Sequence, residues 1–161
     1  MGKLTDAEIQ ALNATVKQYP FLVSAGADKL GPLNGAPSIE ADTATKPVTL
    51  YETGEEVQGE LVTKNNVKLT LKTRNVDKAM ELLATVKKGD NIYATDKKKS
   101  VTLVPITDAA GAQTITFPNA YLQPGLSYTP GDGDPHEAQL VYVCKPDSAT
   151  GIPWEYGNAE A

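Results

Sequence analysis

The stretch VQGELVTKNNVKLTLKTRNVDKAMELLATVKKG, residues 57–89, changes its period partway along. Val67, Leu69 and Leu71 alternate with Lys68, Thr70 and Lys72, the pattern of a strand with one dry face and one wet face. The pair Asn65-Asn66 separates VKLTLKT from VQGELVT, and two asparagines can take the positive φ of a tight turn, so a hairpin is predicted here. From Asn75 the spacing becomes helical. Val76, Ala79, Met80, Leu83 and Val86 fall on one face, with Asn75 placed to cap and Asp77 in the first turn. Lys87 and Lys88 suit a last turn and Gly89 a left-handed stop. The prediction is one helix over about 75–88, too short to stand alone and so packed on a sheet.

On the N-terminal side, Val48, Leu50 and the acidic turn TGEE lead into these strands. Residues 24–47 are rich in Gly, Ala, Pro and Asp with little periodicity, and read as a long irregular connection; loops of that length usually serve a function or a partner. Before it, Thr5 and Glu8 have the spacing of a capping box, and Leu4 and Ile9 that of a hydrophobic staple. Ile9, Leu12, Val16 and Tyr19 continue one apolar face until Pro20, which predicts a helix over about 5–19 within an N-terminal arm, residues 1–23. Its stripe needs a surface, either its own sheet or a neighbouring subunit.

On the C-terminal side, NIYAT, the basic turn DKKKS and VTLVPI read as a second hairpin, with Pro105 marking an edge or a strand end. QTITFPNAYL and AQLVYVC follow as strands; Leu140, Val141, Tyr142 and Val143 make the last apolar on both faces, as in a central strand. A polar tail, residues 146–161, carries an isolated Trp154 and Tyr156. The fold class is therefore mainly β with helices (α+β): a single domain over 1–161, with a curled β-sandwich or barrel-like core over 48–145, one embedded helix and an N-terminal one.

A net charge of −5 argues against a general nucleic-acid binder, which wants a basic face, and does not exclude a protein past which DNA must slide, because a mildly acidic wall repels phosphate. The lone Cys144 excludes a disulfide framework or a cysteine-rich metal site and reads as a small buried residue. No signal peptide, membrane span or myristoylation signal is found, so the expectation is assembly in a reducing cytoplasm with no membrane.

Enzyme signatures are missing: no nucleophile elbow, no phosphate-cradling loop, and His136 is the only histidine for a triad. Within GDGDPHE, residues 131–137, Asp132, Asp134, His136 and Glu137 are metal-ligand types, but the spacing is not that of a calcium loop and a turn explains it. The expectation is no enzyme, no metal and no cofactor. Lys97, Lys98 and Lys99 form a basic turn, and Glu52, Glu55 and Glu56 with Glu60 an acidic stretch; each reads first as a solvated surface. Together they allow contacts between copies of the chain, acid on one against base on the next. Trp154 and Tyr156 are further interface candidates, and could equally fold back on their own sheet.

From about residue 46 to 151, the order of features resembles the tail tube proteins of long-tailed bacteriophages, related in fold to the tubes of contractile injection machines. VQGELVTKNNVKLTLKT feeds directly into NVDKAMELLATV; strands follow, and the chain closes with QTITFPNAYL, a Gly/Asp-rich turn and AQLVYVCKPDSATG. The resemblance implies a structural virion protein: a curled sandwich closed on its outer side by the helix, copies in hexameric rings, and rings stacked into a tube for DNA passage. It implies a tape-measure protein and other tail proteins as partners, DNA passing without specific binding, and no catalytic residues. A tail terminator or connector on the same fold is the alternative. A small β-sandwich binding module is a third reading, which requires a row of exposed aromatics on one strand.

Overall fold

The computed structural model describes residues 2–13, 19–54, 56–107 and 112–158. In chain order the elements are α1 (Asp6–Asn13), β1 (Phe21–Ala25), β2 (Asp28–Lys29), β3 (Ser38–Thr49), β4 (Val57–Thr73), α2 (Val76–Leu83), β5 (Lys99–Pro105), β6 (Gln113–Leu122), β7 (Tyr128–Thr129), β8 (Glu137–Cys144) and β9 (Glu155–Asn158). The strands make one nine-stranded sheet of order β2-β1-β5-β6-β8-β4-β3, with β7 added to β8 and β9 to β6. Every pairing is antiparallel.

The sheet curls without closing. Val23 and Ala25 of β1 share one buried cluster with Leu69 and Leu71 of β4, although β5, β6 and β8 lie between those strands. Only a strongly bent sheet brings both to one core. The bend is visible in β6, whose Gln113–Thr116 pairs with β9 while Ala120–Leu122 pairs with β8. Between the halves, Phe117 faces Val101 and Ala120 faces Lys99, so Pro118 and Asn119 form a bulge on β6. Proline has no N–H to give a ladder, and a bulge is where a paired strand tolerates it.

Central β8 is covered on one face, where Ala138, Leu140, Tyr142 and Cys144 are buried; on the other, Val143 is buried but Val141 is only half-buried, so the double apolar pattern overstates its cover. The helix lies over the open side of the curl. Ala79 and Leu82 are buried in the common core, Val76 and Leu83 pack against it, and Lys78 Nζ reaches Asp28 Oδ1 of β2 at 2.8 Å. Asn75 caps it, accepting from the Lys78 N–H at 3.4 Å. The buried Thr73 hydroxyl donates to the Leu30 carbonyl at 2.6 Å and accepts from the Asn75 N–H at 3.0 Å, tying the end of β4 to the helix start.

Several sequence expectations need correction. Asn65-Asn66 is no turn: β4 is a single strand of 17 residues, and the hairpin with β3 turns at 50–56 instead. In place of a turn there is a bulge, since Ala44 faces Lys64 while Thr45 faces Val62, leaving Thr63 unmatched. Residues 24–47 are not one irregular connection, because they contain the end of β1, all of β2 and most of β3. NIYAT is not a strand; residues 91–97 are turns and a short 3-10 helix, and β5 begins at Lys99. Helix α2 stops at Leu83, so Val86, Lys87 and Lys88 lie beyond it, Met80 is exposed, and Gly89 (φ +93°) serves a later turn. Helix α1 has its capping box, with Thr5 N–H to Glu8 Oε2 at 3.1 Å and Glu8 N–H to Thr5 Oγ1 at 3.2 Å. It ends at Asn13, Val16 lies outside the described residues, and Tyr19 is not helical. Pro105 is the last residue of β5, a strand end.

Candidate subunit interface

The hairpin of β3 and β4 outgrows the sheet. Val67 pairs with Cys144, Cys144 with Ala120 and Ala120 with Lys99, so these four residues mark one row across it. Before Val67 the first residues of β4 have only β3 as a neighbour. From Asn66 back to Val57 the ribbon runs roughly 30 Å past that row, at a rise of about 3.3 Å per residue. At its base the Asn65 side-chain amide donates to the Gly151 carbonyl at 3.0 Å. Gly151 (φ +71°) belongs to the polar unit after β8, closed by its own N–H to the Asp147 carbonyl at 2.7 Å.

The ribbon is stitched by polar contacts: Lys64 Nζ to Asp42 Oδ1 at 2.9 Å, the Thr45 hydroxyl to Glu60 Oε2 at 3.2 Å, and the Thr63 hydroxyl to the Ala44 carbonyl at 3.2 Å. None of the described side chains from 43 to 64 is buried. Yet several are large and apolar: Leu61 is 61% exposed, Val62 66% and Tyr51, at the tip, 97%. Leu61 and Val62 are adjacent in a strand, so each face of the ribbon presents one. Paired strands isolated in water are marginal, and exposed apolar ribbons invite another chain.

Of the acidic candidates, Glu52 stands exposed in the 3-10 turn Tyr51–Thr53 and Glu56 is exposed at the start of the return strand, while Glu55 lies outside the described residues. The basic candidates separate by role. Lys97 is engaged within its own chain, its Nζ donating to the Thr85 carbonyl at 3.0 Å and lying 3.6 Å from Asp90. That contact, after the Lys87 N–H bond at 2.9 Å, helps hold the Asp90 carboxyl below the usual range. Lys99 reaches Asp28 at 4.0 Å, and Lys98 has no acid in ion-pair range among the described residues. The Lys97 and Asp90 contacts draw the segment after α2 beside the turn before β5. Lys87 and Lys88 therefore join Lys98 and Lys99 as one exposed basic loop. Sequence reading missed the first two by assigning them to a longer helix; the crowding of Thr85 and Val86 beyond Ala84 is the signal for the earlier stop. Glu52 and Lys99 stand apart within one chain: Lys99 at the row that marks the ribbon's base, Glu52 at its far tip.

Trp154 and Tyr156 remain exposed even though β9 pairs with β6. Tyr156, with Val104, Thr114 and Thr116, borders a shallow depression on the outer face of the sheet. Exposed Tyr51, Tyr93, Trp154 and Tyr156 are spread over the tip, the loop after α2 and the C-terminal strand with the residue before it, and among the described residues no row of exposed aromatics runs along one strand.

The residues around GDGDPHE form the β7–β8 turn. A Cβ on Gly131 would collide with the Asp134 carbonyl, so the close approach needs glycine there. His136 Nδ1 bonds the Tyr128 hydroxyl at 2.6 Å, and among the described residues no three metal-ligand side chains gather. Cys144 is buried, and burial pushes its thiol up to about 12, far from a reactive thiolate.

No known sequence family matches the chain, and no curated protein does. Solved structures do share its fold. A chain of the sheath–tube complex of PVC, an extracellular contractile injection system, in its extended state, is 18% identical with a TM-score of 0.54, covering 88% of this chain and 94% of that one. A chain of the PVC sheath/tube terminator in the extended state is 17% identical, with a TM-score of 0.55 over 89% of this chain and 96% of that one. A chain of the anti-feeding prophage cap, the AFP tube-terminating cap, is 14% identical, with a TM-score of 0.54 over 89% and 91%. At these identities the likeness is one of fold.

Proposed function

We propose that this chain is a structural component of a tail-like assembly, acting by self-association and not by catalysis. Copies join side by side into rings, six to a ring by the resemblance to phage tail tube proteins, and rings stack into a tail tube of a virion. The bore passes DNA without specific binding, and a tape-measure protein and other tail proteins are its partners. The observation that carries this reading is the β3–β4 ribbon, a long hairpin with exposed apolar side chains on both faces, Leu61 and Val62, that none of the described residues buries. The shared fold with chains of a sheath–tube complex supports it.

Charge sets the register of the contact. The acidic tip (Glu52, Glu55 and Glu56) meets the basic loop (Lys98 and Lys99, with Lys97 as its internal brace) of the next copy, and Trp154 and Tyr156 supply aromatic contact. Opposite charges at an interface rim mainly speed and orient encounter. Lys98→Glu with Lys99→Glu therefore slows association at least several-fold in stopped-flow light scattering and makes it less salt-sensitive. Adding Glu52→Lys and Glu56→Lys on the same chain restores attraction and the rate. Unchanged association in the first variant would sink the pairing.

A second reading, a terminator or cap, is favoured by two of the fold relatives, a sheath/tube terminator and a tube-terminating cap. It shares the ring and differs in that rings do not stack, which electron micrographs of the purified protein decide.

A further inference from the structure

Beside the basic loop lies a cavity of about 210 Å³, bounded by α2 and the turns that follow it on one side and by β6 and β8 on the other. Leu82, Val86, Ile92 and Leu122 give it an apolar wall, and Thr85, Asp96, Lys97, Lys99 and Tyr142 complete the lining. Tyr142 is the unusual member. It is 1% exposed, and its buried hydroxyl has no hydrogen-bond partner among the described residues. An unpaired buried hydroxyl is costly, and native folds seldom keep one without a use. The Thr85 hydroxyl is already spent on the Leu82 carbonyl at 2.6 Å. Burial, with Asp28 and Cys144 adding to it, pushes the Tyr142 phenol far above its ordinary range, so it stays protonated and able to donate. The two lysines differ in how far they are engaged. Lys97 Nζ donates to the Thr85 carbonyl at 3.0 Å and stands 3.6 Å from Asp90. Lys99 is freer: Asp28 lies 4.0 Å away and is held more closely by Lys78, at 2.8 Å. Asp96 is the one acid in the lining, against two lysines.

We propose that this cavity binds a carboxylate carried on a short apolar stem, with the Tyr142 hydroxyl donating to the carboxylate and the Lys99 ammonium pairing with it. The stem lies against Leu82, Val86, Ile92 and Leu122. Other ligand classes fit this lining less well. A metal cation would face two ammonium groups. A free phosphate or sulfate would turn part of its charge toward the apolar wall, where nothing satisfies it. A larger molecule is too big, since pockets for drug-sized ligands run to roughly 300–1,000 Å³. The carboxylate has two possible sources, a small free acid or a glutamate side chain of a neighbouring copy such as Glu52 of the ribbon tip. The second source rests on the assembly reading above, because Lys97 and Lys99 belong to the loop which that reading sets against the tip. The site itself does not rest on it.

The test titrates butyrate into the full chain, followed by amide NMR shifts and by melting temperature. Saturable shifts at Thr85, Ile92, Lys97 and Leu122 are expected, with a rise in melting temperature. Butyramide, the same shape without the charge, should bind about tenfold more weakly, as the loss of a charge-assisted hydrogen bond implies. Tyr142→Phe removes only the unpaired hydroxyl, so it should melt no lower than wild type and yet weaken butyrate binding several-fold. Lys99→Gln, at an exposed position, should weaken it likewise. No saturable shifts, equal binding of butyrate and butyramide, or unchanged binding by Tyr142→Phe would each overturn the inference. Light scattering then tells the two sources apart. Butyrate that slows assembly of wild type, but not of Tyr142→Phe, supports a carboxylate given by a neighbouring copy; butyrate that binds and leaves assembly unchanged supports a free acid. Wild-type chain that never associates overturns the assembly reading and leaves the site, still tested by butyrate, to free acids.

Discussion

Excising the ribbon, by joining Thr43 to Asn65 through Asn-Gly, leaves the domain folded and abolishes its self-association. Thr43 and Asn65 are cross-strand partners, so a two-residue turn can connect them without changing the register below. Because no described side chain between 43 and 64 is buried, the core loses nothing, and the melting temperature should stay within about 4 °C of wild type, the equivalent of about 1–2 kcal/mol in a chain of this length. Association is another matter. The excised segment holds the exposed Tyr51, Leu61 and Val62 and the acidic tip, which the account makes the main contact between copies. A shortened chain that melts normally and remains monomeric where the intact chain assembles is the expected result. Normal assembly of the shortened chain would show that the ribbon is dispensable.

The opposite pattern is expected at Phe117. Its ring is buried on β6 immediately before the Pro118–Asn119 bulge, opposite Val101, in the cluster that joins both ends of the curled sheet. Phe117→Ala removes a large buried side chain and leaves a cavity that the bulge and proline prevent from collapsing, so about 3–5 kcal/mol of stability is lost. In a domain of this length that lowers the melting temperature by about 10 °C, a large part of a total stability of roughly 5–15 kcal/mol. Leu61→Ala on the ribbon, as a control, should move it by no more than about 0.5 kcal/mol. Thermal unfolding followed by circular dichroism checks both. Equal effects at the two positions would mean that the ribbon packs on the core after all.

The contrast between these sites also explains what the sequence could and could not tell. Buried elements wrote clear patterns. In β8 the run of Leu140 and Tyr142, and in the second half of β4 the alternation of Val67, Leu69 and Leu71 with lysines and threonine, reflect a core on a known side; Val141 and Val143 of β8 suggested a second covered face that is only half there. Helix α2 was legible for the same reason, apart from its end, where Leu82 faces the core and Met80 does not. The ribbon left no such trace. Ser38–Thr49 is exposed along nearly all its length, so its pairing rests on backbone bonds to β4 that no side-chain period announces. Asn65-Asn66 misled because a bulge at Thr63 accommodates the irregularity without positive φ; no non-glycine residue among those described adopts one. The basic loop was half legible: Lys97–Lys99 stood out as a run, but their union with Lys87 and Lys88 depends on Lys97 and Asp90 bridging two turns, a tertiary fact.

The most direct test of self-association as the function is the molar mass of the purified, intact chain by light scattering across a range of concentrations, with negative-stain images of the same fractions. The account predicts masses at integral multiples of 17.1 kDa that grow with concentration, and open rings or stacked rings in the images. A particle of 17.1 kDa at every concentration, with featureless fields, would contradict it.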